Sequence, residues 1–164
     1  MSSDTDNKIQ THLDKNVNED LLLDNQLCFP LYVCAREITN AYTPYLSQLG
    51  LTYTQYVTMM VMWEEERVVT RHLRDRLFLD SGTLTPVLKK LEEKGLVTRK
   101  RSTKDARDLV VTITQAGRDL KERAAFVPNQ VGMCVAGFER GEELAILLRE
   151  MMEVFRLRRK ECGK

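Results

Sequence analysis

Residues 80–107 spell an amphipathic helix that runs directly into a basic hairpin, and that juxtaposition limits what the surrounding fold can be. Asp80 is a residue type that caps helix N-termini, because its carboxylate accepts from the unpaired N–H groups of the first turn. Leu84, Val87, Leu88 and Leu91 then recur at i, i+3, i+4 and i+7, giving one apolar stripe. At about 100° per residue the opposite face carries Gly82, Thr83, Thr85, Pro86, Lys89 and Lys90, with Ser81 on its flank. These are small, polar or cationic groups suited to a DNA major groove. Gly95 is placed to end the helix. Pro86 lacks the N–H that would bond the Gly82 carbonyl, so a purely local reading starts the helix at Thr85 with Pro86 in its first turn.

Two runs rich in β-branched residues follow, 96–101 and 109–114, separated by the polar and charged stretch 102–108. Across 86–107 eight basic residues (Lys89, Lys90, Lys94, Arg99, Lys100, Arg101, Lys104 and Arg107) oppose three acidic ones (Glu92, Glu93 and Asp105). The whole chain nearly balances, with 25 Lys and Arg against 24 Asp and Glu, so the excess is a local patch, which is what phosphate binding requires. On these residues alone the alternative is a solvated hairpin on an ordinary α+β domain.

At 164 residues, 43% hydrophobic and 30% charged, the chain can bury a core but has little room for a second domain. No apolar run approaches a membrane span, and the polar first twenty residues carry no signal-peptide pattern, so a cytoplasmic protein with reduced thiols at its four cysteines is expected. No metal or other cofactor is expected. His12 and His72 are isolated, and the cysteines are not spaced as C-x-x-C.

Residues 1–20 read as a polar, flexible tail. A helical pattern occupies 27–49, with Cys28, Tyr32, Ala35, Ile38 or Thr39, Tyr42, Leu46 and Leu49 on one side and Pro44 placed to bend it. A second helix runs from a Thr52 or Thr54 cap through Trp63, with Tyr56, Val57, Met60, Val61 and Trp63 as its apolar contacts. A third spans 70–77, with Leu73 and Leu77 inward and Arg71, Arg74 and Arg76 outward. Together with the helix from Ser81 it makes a helix-turn-helix, and the hairpin is its wing. A further helix covers 114–126 and is broken by Pro128. The last begins near 139–142 and passes Phe155 with Leu144, Leu147, Leu148, Met151 and Phe155 on one stripe. The fold class is therefore α+β and mostly α: a winged helix-turn-helix over 53–114, with helical regions 21–52 and 115–160 that pair with copies of themselves in a twofold homodimer.

The order of elements, with Asp105-Ala106-Arg107 in the wing, resembles the MarR family of bacterial repressors. One branch fits more closely. Leu23-Asp24-Asn25-Gln26-Leu27-Cys28-Phe29-Pro30-Leu31-Tyr32, Leu51-Thr52-Tyr53-Thr54-Gln55-Tyr56 and Leu79-Asp80-Ser81-Gly82-Thr83-Leu84-Thr85-Pro86 resemble the organic hydroperoxide resistance regulators, from about residue 22 to 125. These regulators carry the same proline in the recognition helix, so the resemblance places the helix start at Ser81.

The resemblance implies a peroxide-sensing thiol at Cys28. A position near a helix start independently favours the thiolate, the nucleophile toward a peroxide O–O bond. It also implies that Tyr42 and Tyr53 of the partner subunit hydrogen-bond that thiol; on the residues alone they read as aromatic core. Tyr32, one turn beyond Cys28, is a further neighbour. Cys34 lies about 9 Å along the helix from Cys28 and roughly 120° around it, out of disulfide reach, and reads as a buried small hydrophobe. By resemblance to the two-cysteine regulators, Cys134 is the resolving thiol of an intersubunit disulfide. Cys162 reads as a spectator, and a small cytosolic thiol capping Cys28 is the alternative. For the double-stranded operator, Ser81, Thr83, Thr85, Lys89 and Lys90 are assigned to the major groove or phosphates, Arg99, Lys100 and Arg101 to phosphates, and Arg107, oriented by Asp105, to the minor groove. The leading rival is a repressor of the same fold released by a small aromatic ligand, with Cys28 as mere core. A thiol peroxidase leaves the DNA element unexplained, so no enzyme is expected.

Overall fold

The computed structural model describes residues 19–101, 109–134 and 137–161, the side chains of 133, 134 and 160 excepted. A 3-10 turn at Leu23–Asn25 precedes α1, Cys28–Gln48, which contains Pro44; the Gln48 side-chain amide donates to the Pro44 carbonyl at 3.2 Å. Gly50 turns the chain at a φ of 66°, where a Cβ would be strained. The next helix, α2 at Tyr53–Glu65, begins in a capping box: Thr52 Oγ1 accepts from the Gln55 N–H, and Gln55 Oε1 accepts from the Thr52 N–H. Thr52 is thus the cap.

Three strands follow in an antiparallel sheet of order β1-β3-β2: β1 at Arg67–Val69, β2 at Val97–Arg101 and β3 at Leu109–Ile113. The hairpin matches the sequence reading. The short β1 has no counterpart in it, because three residues show no period and the pairing with β3 spans more than forty positions. Between β1 and β2 lie α3, Thr70–Leu77, and α4, Ser81–Glu93. The left-handed Phe78, at a φ of 55°, closes α3, and Gly95, at 70°, follows the Lys94 C-cap of α4. Pro86 sits inside α4, which starts at Ser81 as the resemblance implied.

Leu73, Leu84, Leu88, Leu91, Val97 and Val111 are almost fully buried together with Met59 and Met62 of α2. These α2 positions correct the reading of Met60, which is 40% exposed: the inward stripe of α2 runs through Tyr56, Met59 and Met62. Burial of each such side chain contributes on the order of 1.5–3 kcal/mol, so the helix-turn-helix is fixed by its packing on α2 and the sheet rather than by local propensity.

The chain divides into two compact units, Met1–Val127 and Pro128–Lys164. The first closes with α5, Gln115–Ala124, capped by Thr114, whose Oγ1 accepts from the Gly117 N–H at 3.1 Å. The pattern breaks ahead of Pro128 as expected, α5 ending at Ala124, but a new helix without counterpart in the sequence reading, α6 at Val127–Cys134, takes Pro128 into its first turn, where the missing N–H costs nothing. Helix α7, Gly141–Glu161, exposes Ile146, Leu147, Met152, Val154, Phe155 and Leu157 in the single chain.

Candidate nucleic-acid interface and thiol site

Helix α4 is built as its sequence pattern requires. Leu84, Leu88 and Leu91 face the core, while Ser81, Thr83, Thr85, Pro86, Lys89 and Lys90 are all exposed. Its start is clamped. The Thr83 N–H donates to Asp80 Oδ1 at 2.8 Å and the Thr83 hydroxyl to Oδ2 at 3.1 Å, and these two bonds, the first foremost, hold the Asp80 carboxyl below its ordinary range. Arg74 of α3 donates to Ser81 Oγ at 2.7 Å. Arg71, Arg74, Ser81, Thr85, Arg99 and Leu109 border a cavity of about 240 Å³ between α3, α4 and the β2–β3 hairpin. Arg71 and Arg74, outward-facing in the sequence pattern, thus belong to the same surface as the start of α4. Their i, i+3 spacing on the first helix of the motif was the available signal.

Among the described basic residues of 86–107, Arg99 and Lys94 are committed to partners within the protein. Arg99 Nε and Nη2 both donate to Glu92 Oε2, at 2.8 and 2.7 Å, and the Arg99 N–H donates to Glu92 Oε1 at 2.8 Å. These three bonds tie β2 to α4, and the Arg99 guanidinium foremost, then its N–H, holds the Glu92 carboxyl low. Lys94 Nζ donates to Gln55 Oε1 at 2.7 Å and to the Gly50 carbonyl. Withdrawal from water, and then the neighbouring Lys90, push the Lys94 ammonium down. Lys100 and Arg101 are exposed on β2, and Lys89 pairs loosely with Glu93 at 3.8 Å. Asp105 and Arg107 lie outside the described residues.

Cys28 is exposed and is the first residue of α1. Cys34 is exposed as well, which corrects its reading as a buried hydrophobe: α1 buries only Leu46 in the single chain. Tyr42 and Tyr53 meet edge to face with ring centroids 5.1 Å apart, and Tyr42 also approaches Tyr56 at 5.9 Å. Burial, and after it the Tyr42 charge, pushes the Tyr53 phenol up. Tyr32 is 60% exposed, with the Arg36 guanidinium 5.5 Å from its ring centre. Fourteen residues separate Cys28 from Tyr42, about 21 Å along α1 and within roughly 40° of the same face. One chain therefore brings the tyrosines together and leaves the thiol at the far end of the helix. Cys134 is the last residue of α6, within a helix rather than in a connecting segment. Its side chain, and Cys162, lie outside the described residues.

The organic hydroperoxide resistance transcriptional regulator of Bacillus subtilis is 44% identical over 117 residues, covering 71% of this chain and 80% of the relative. The chain belongs to the organic hydroperoxide resistance branch of the MarR-type transcriptional regulators. The family described as "Transcriptional regulator SarA/Rot" matches residues 40–124 of this hydroperoxide-resistance-type regulator. Two solved structures of AbfR, a Staphylococcus epidermidis protein, share its fold at 34% identity. Reduced AbfR bound to DNA gives a TM-score of 0.69 over 85% of this chain and 96% of that one; the disulfide form gives 0.57 over 85% and 98%. The winged-helix class is thereby established, and the relatives are regulators rather than enzymes. Among the described residues no cluster of three His, Cys, Asp or Glu could hold a metal ion, and no helix is long and apolar enough to cross a membrane. His72 is exposed and pairs with Glu65 at 3.0 Å.

Proposed function

We propose that this regulator is a redox-sensing repressor that binds a double-stranded operator as a reduced homodimer and is released when an organic hydroperoxide oxidises Cys28. The observation that carries the reading is the separation within α1. An exposed thiol at one end and a Tyr42–Tyr53 pair at the other, on nearly one face, can meet only if a second α1 lies alongside in the opposite sense. In such a pairing the phenols of one protomer donate to the thiolate of the other, with Tyr32 beside it. Regions 21–52 and 115–160 form the dimerisation helices, and 53–114 the DNA-binding element.

The Cys28 thiolate attacks one peroxide oxygen, the O–O bond breaks, and the alkoxide leaves and takes a proton; sulfur is oxidised to sulfenic acid and the peroxide reduced to an alcohol. The thiol of Cys134 of the partner subunit then attacks that sulfur, forming the disulfide and releasing water. Loss of the tyrosine hydrogen bonds and closure of the disulfide change the separation of the two α4 helices. In the reduced state Ser81, Thr83, Thr85, Lys89 and Lys90 face the major groove, Lys100 and Arg101 meet phosphates, Arg99 braces β2 against α4 through Glu92, and Arg107, oriented by Asp105, enters the minor groove.

The test is a mobility-shift titration with an organic hydroperoxide, on the duplex that the reduced protein selects from a random pool. Wild type is expected to release DNA, Cys28→Ser to stay bound, and Cys134→Ser to release without a crosslinked dimer on a non-reducing gel. Unchanged release by Cys28→Ser overturns the redox reading in favour of a ligand-released repressor.

A further inference from the structure

Lys94 lies in the basic stretch, yet its head group points away from the recognition face. The residue as a whole is exposed, but its ammonium donates to Gln55 Oε1 and to the Gly50 carbonyl. Gln55 is 2% exposed, and its Oε1 also accepts from the Thr52 N–H, so one buried oxygen serves both the α2 cap and Lys94. Tyr53, the first residue of α2, sits between those two capping partners and packs on Tyr42. At the other end Lys94 is the C-cap of α4, its own N–H donating to the Lys90 carbonyl at 3.1 Å. A contiguous set of contacts thus runs from the tyrosine pair through the first turn of α2 to the last turn of the recognition helix.

We propose that Lys94 and Gln55 are positioning residues that fasten the C-terminal end of α4 to the first turn of α2, so that a displacement at Tyr53 is delivered to the recognition helix. The inference rests on the redox reading above for the origin of that displacement, but the link itself is a property of the reduced protein. A lysine that fits this role leaves the salt dependence of DNA binding alone, whereas a phosphate-contacting lysine lowers the slope of log affinity against log salt by about one. Loss of the Lys94 ammonium removes two hydrogen bonds at the joint while Thr52 retains its own bond to Gln55.

The experiment uses full-length dimer and the selected duplex, with anisotropy measured over a range of salt. Lys94→Met is expected to keep the wild-type salt slope and to shrink the affinity change on hydroperoxide treatment at least tenfold, and Lys94→Arg, which keeps two donors, is expected to restore it. A double-mutant cycle with Tyr53→Phe on reduced protein supplies a readout independent of oxidation: the weakening caused by Tyr53→Phe is expected to fall at least threefold in the Lys94→Met background. A slope reduced by about one with the oxidation response intact makes Lys94 a phosphate contact and overturns the proposal. Additive effects in the cycle overturn it as well. Failure of hydroperoxide to release the wild type counts against the redox reading, while the cycle still decides the link.

Discussion

Asp80 is at once a helix cap and a clamp on a hydroxyl of the recognition face, because its two carboxylate oxygens take the Thr83 N–H and the Thr83 hydroxyl separately. Asp80→Ala removes both bonds and is expected to lower the midpoint of denaturant unfolding, as loss of a helix cap does. The pH dependence has a definite sign. Asp80, Glu66 and Glu92 all have carboxyls held low in the fold, so their contribution is present above the unfolded values of 3.8 and 4.5 and is lost as pH falls through the folded ones. Thermal unfolding should be nearly flat from pH 7 to about 5 and then fall. Asp80→Asn, which still caps, should lose less stability than wild type on acidification below that point. The cap was legible from sequence because it is local. The roles of Arg99 and Lys94 were not: each counted as a free positive charge, and their partners Glu92 and Gln55 are brought to them only by the turn after α4 and by the packing of α2.

Helix α2, with its Thr52 cap, and α3, whose Leu73 and Leu77 are one turn apart, match their sequence reading closely because those signals act within a few positions, whereas the Ser81 start of α4 was legible only through the family resemblance, Pro86 arguing locally for Thr85. What escaped, β1 and the start of α6, depends on contacts between distant segments or on a proline whose effect reverses between the interior and the first turn of a helix. Gly117 shows why one helix sits where it does. A Cβ there would stand 2.3 Å from the Leu96 carbonyl oxygen and 2.7 Å from Ile113 Cγ1, and the Gly117 carbonyl accepts from the Trp63 indole at 2.7 Å. In an open helix Gly→Ala gains up to about 1 kcal/mol, but here the obstacle is backbone at the foot of β2, which cannot swing aside. Gly117→Ala is therefore expected to lose about 1–3 kcal/mol in chemical denaturation and to shift α5 from the hairpin, seen as perturbed amide signals at Leu96 and Ile113. A stabilised variant would show that this approach relaxes freely.

At the scale of the whole molecule, the proposed pairing makes one chain an incomplete object. Its helix α7 exposes Ile146 at 53%, Leu147 at 55%, Phe155 at 45% and Leu157 at 58%. Apolar surface of this extent marks an interface, and burying each large side chain in it contributes about 1.5–3 kcal/mol. Leu147→Glu puts a charge into that face and should shift sedimentation equilibrium toward monomer while leaving the helical circular dichroism of each chain intact. Two consequences follow from the geometry. The monomer keeps one recognition helix and one wing, so it makes half the phosphate contacts, and its salt slope on the selected duplex should fall to about half that of the dimer. It also keeps Cys28 at one end of α1, about 21 Å from its own Tyr42, with no second chain to supply the phenols. Its thiol should then react with hydroperoxide as an ordinary exposed cysteine, more slowly than in the dimer, and yield no crosslinked pair. A variant that becomes monomeric yet retains dimer-like oxidation would mean that the tyrosines act within one chain, against the separation along α1.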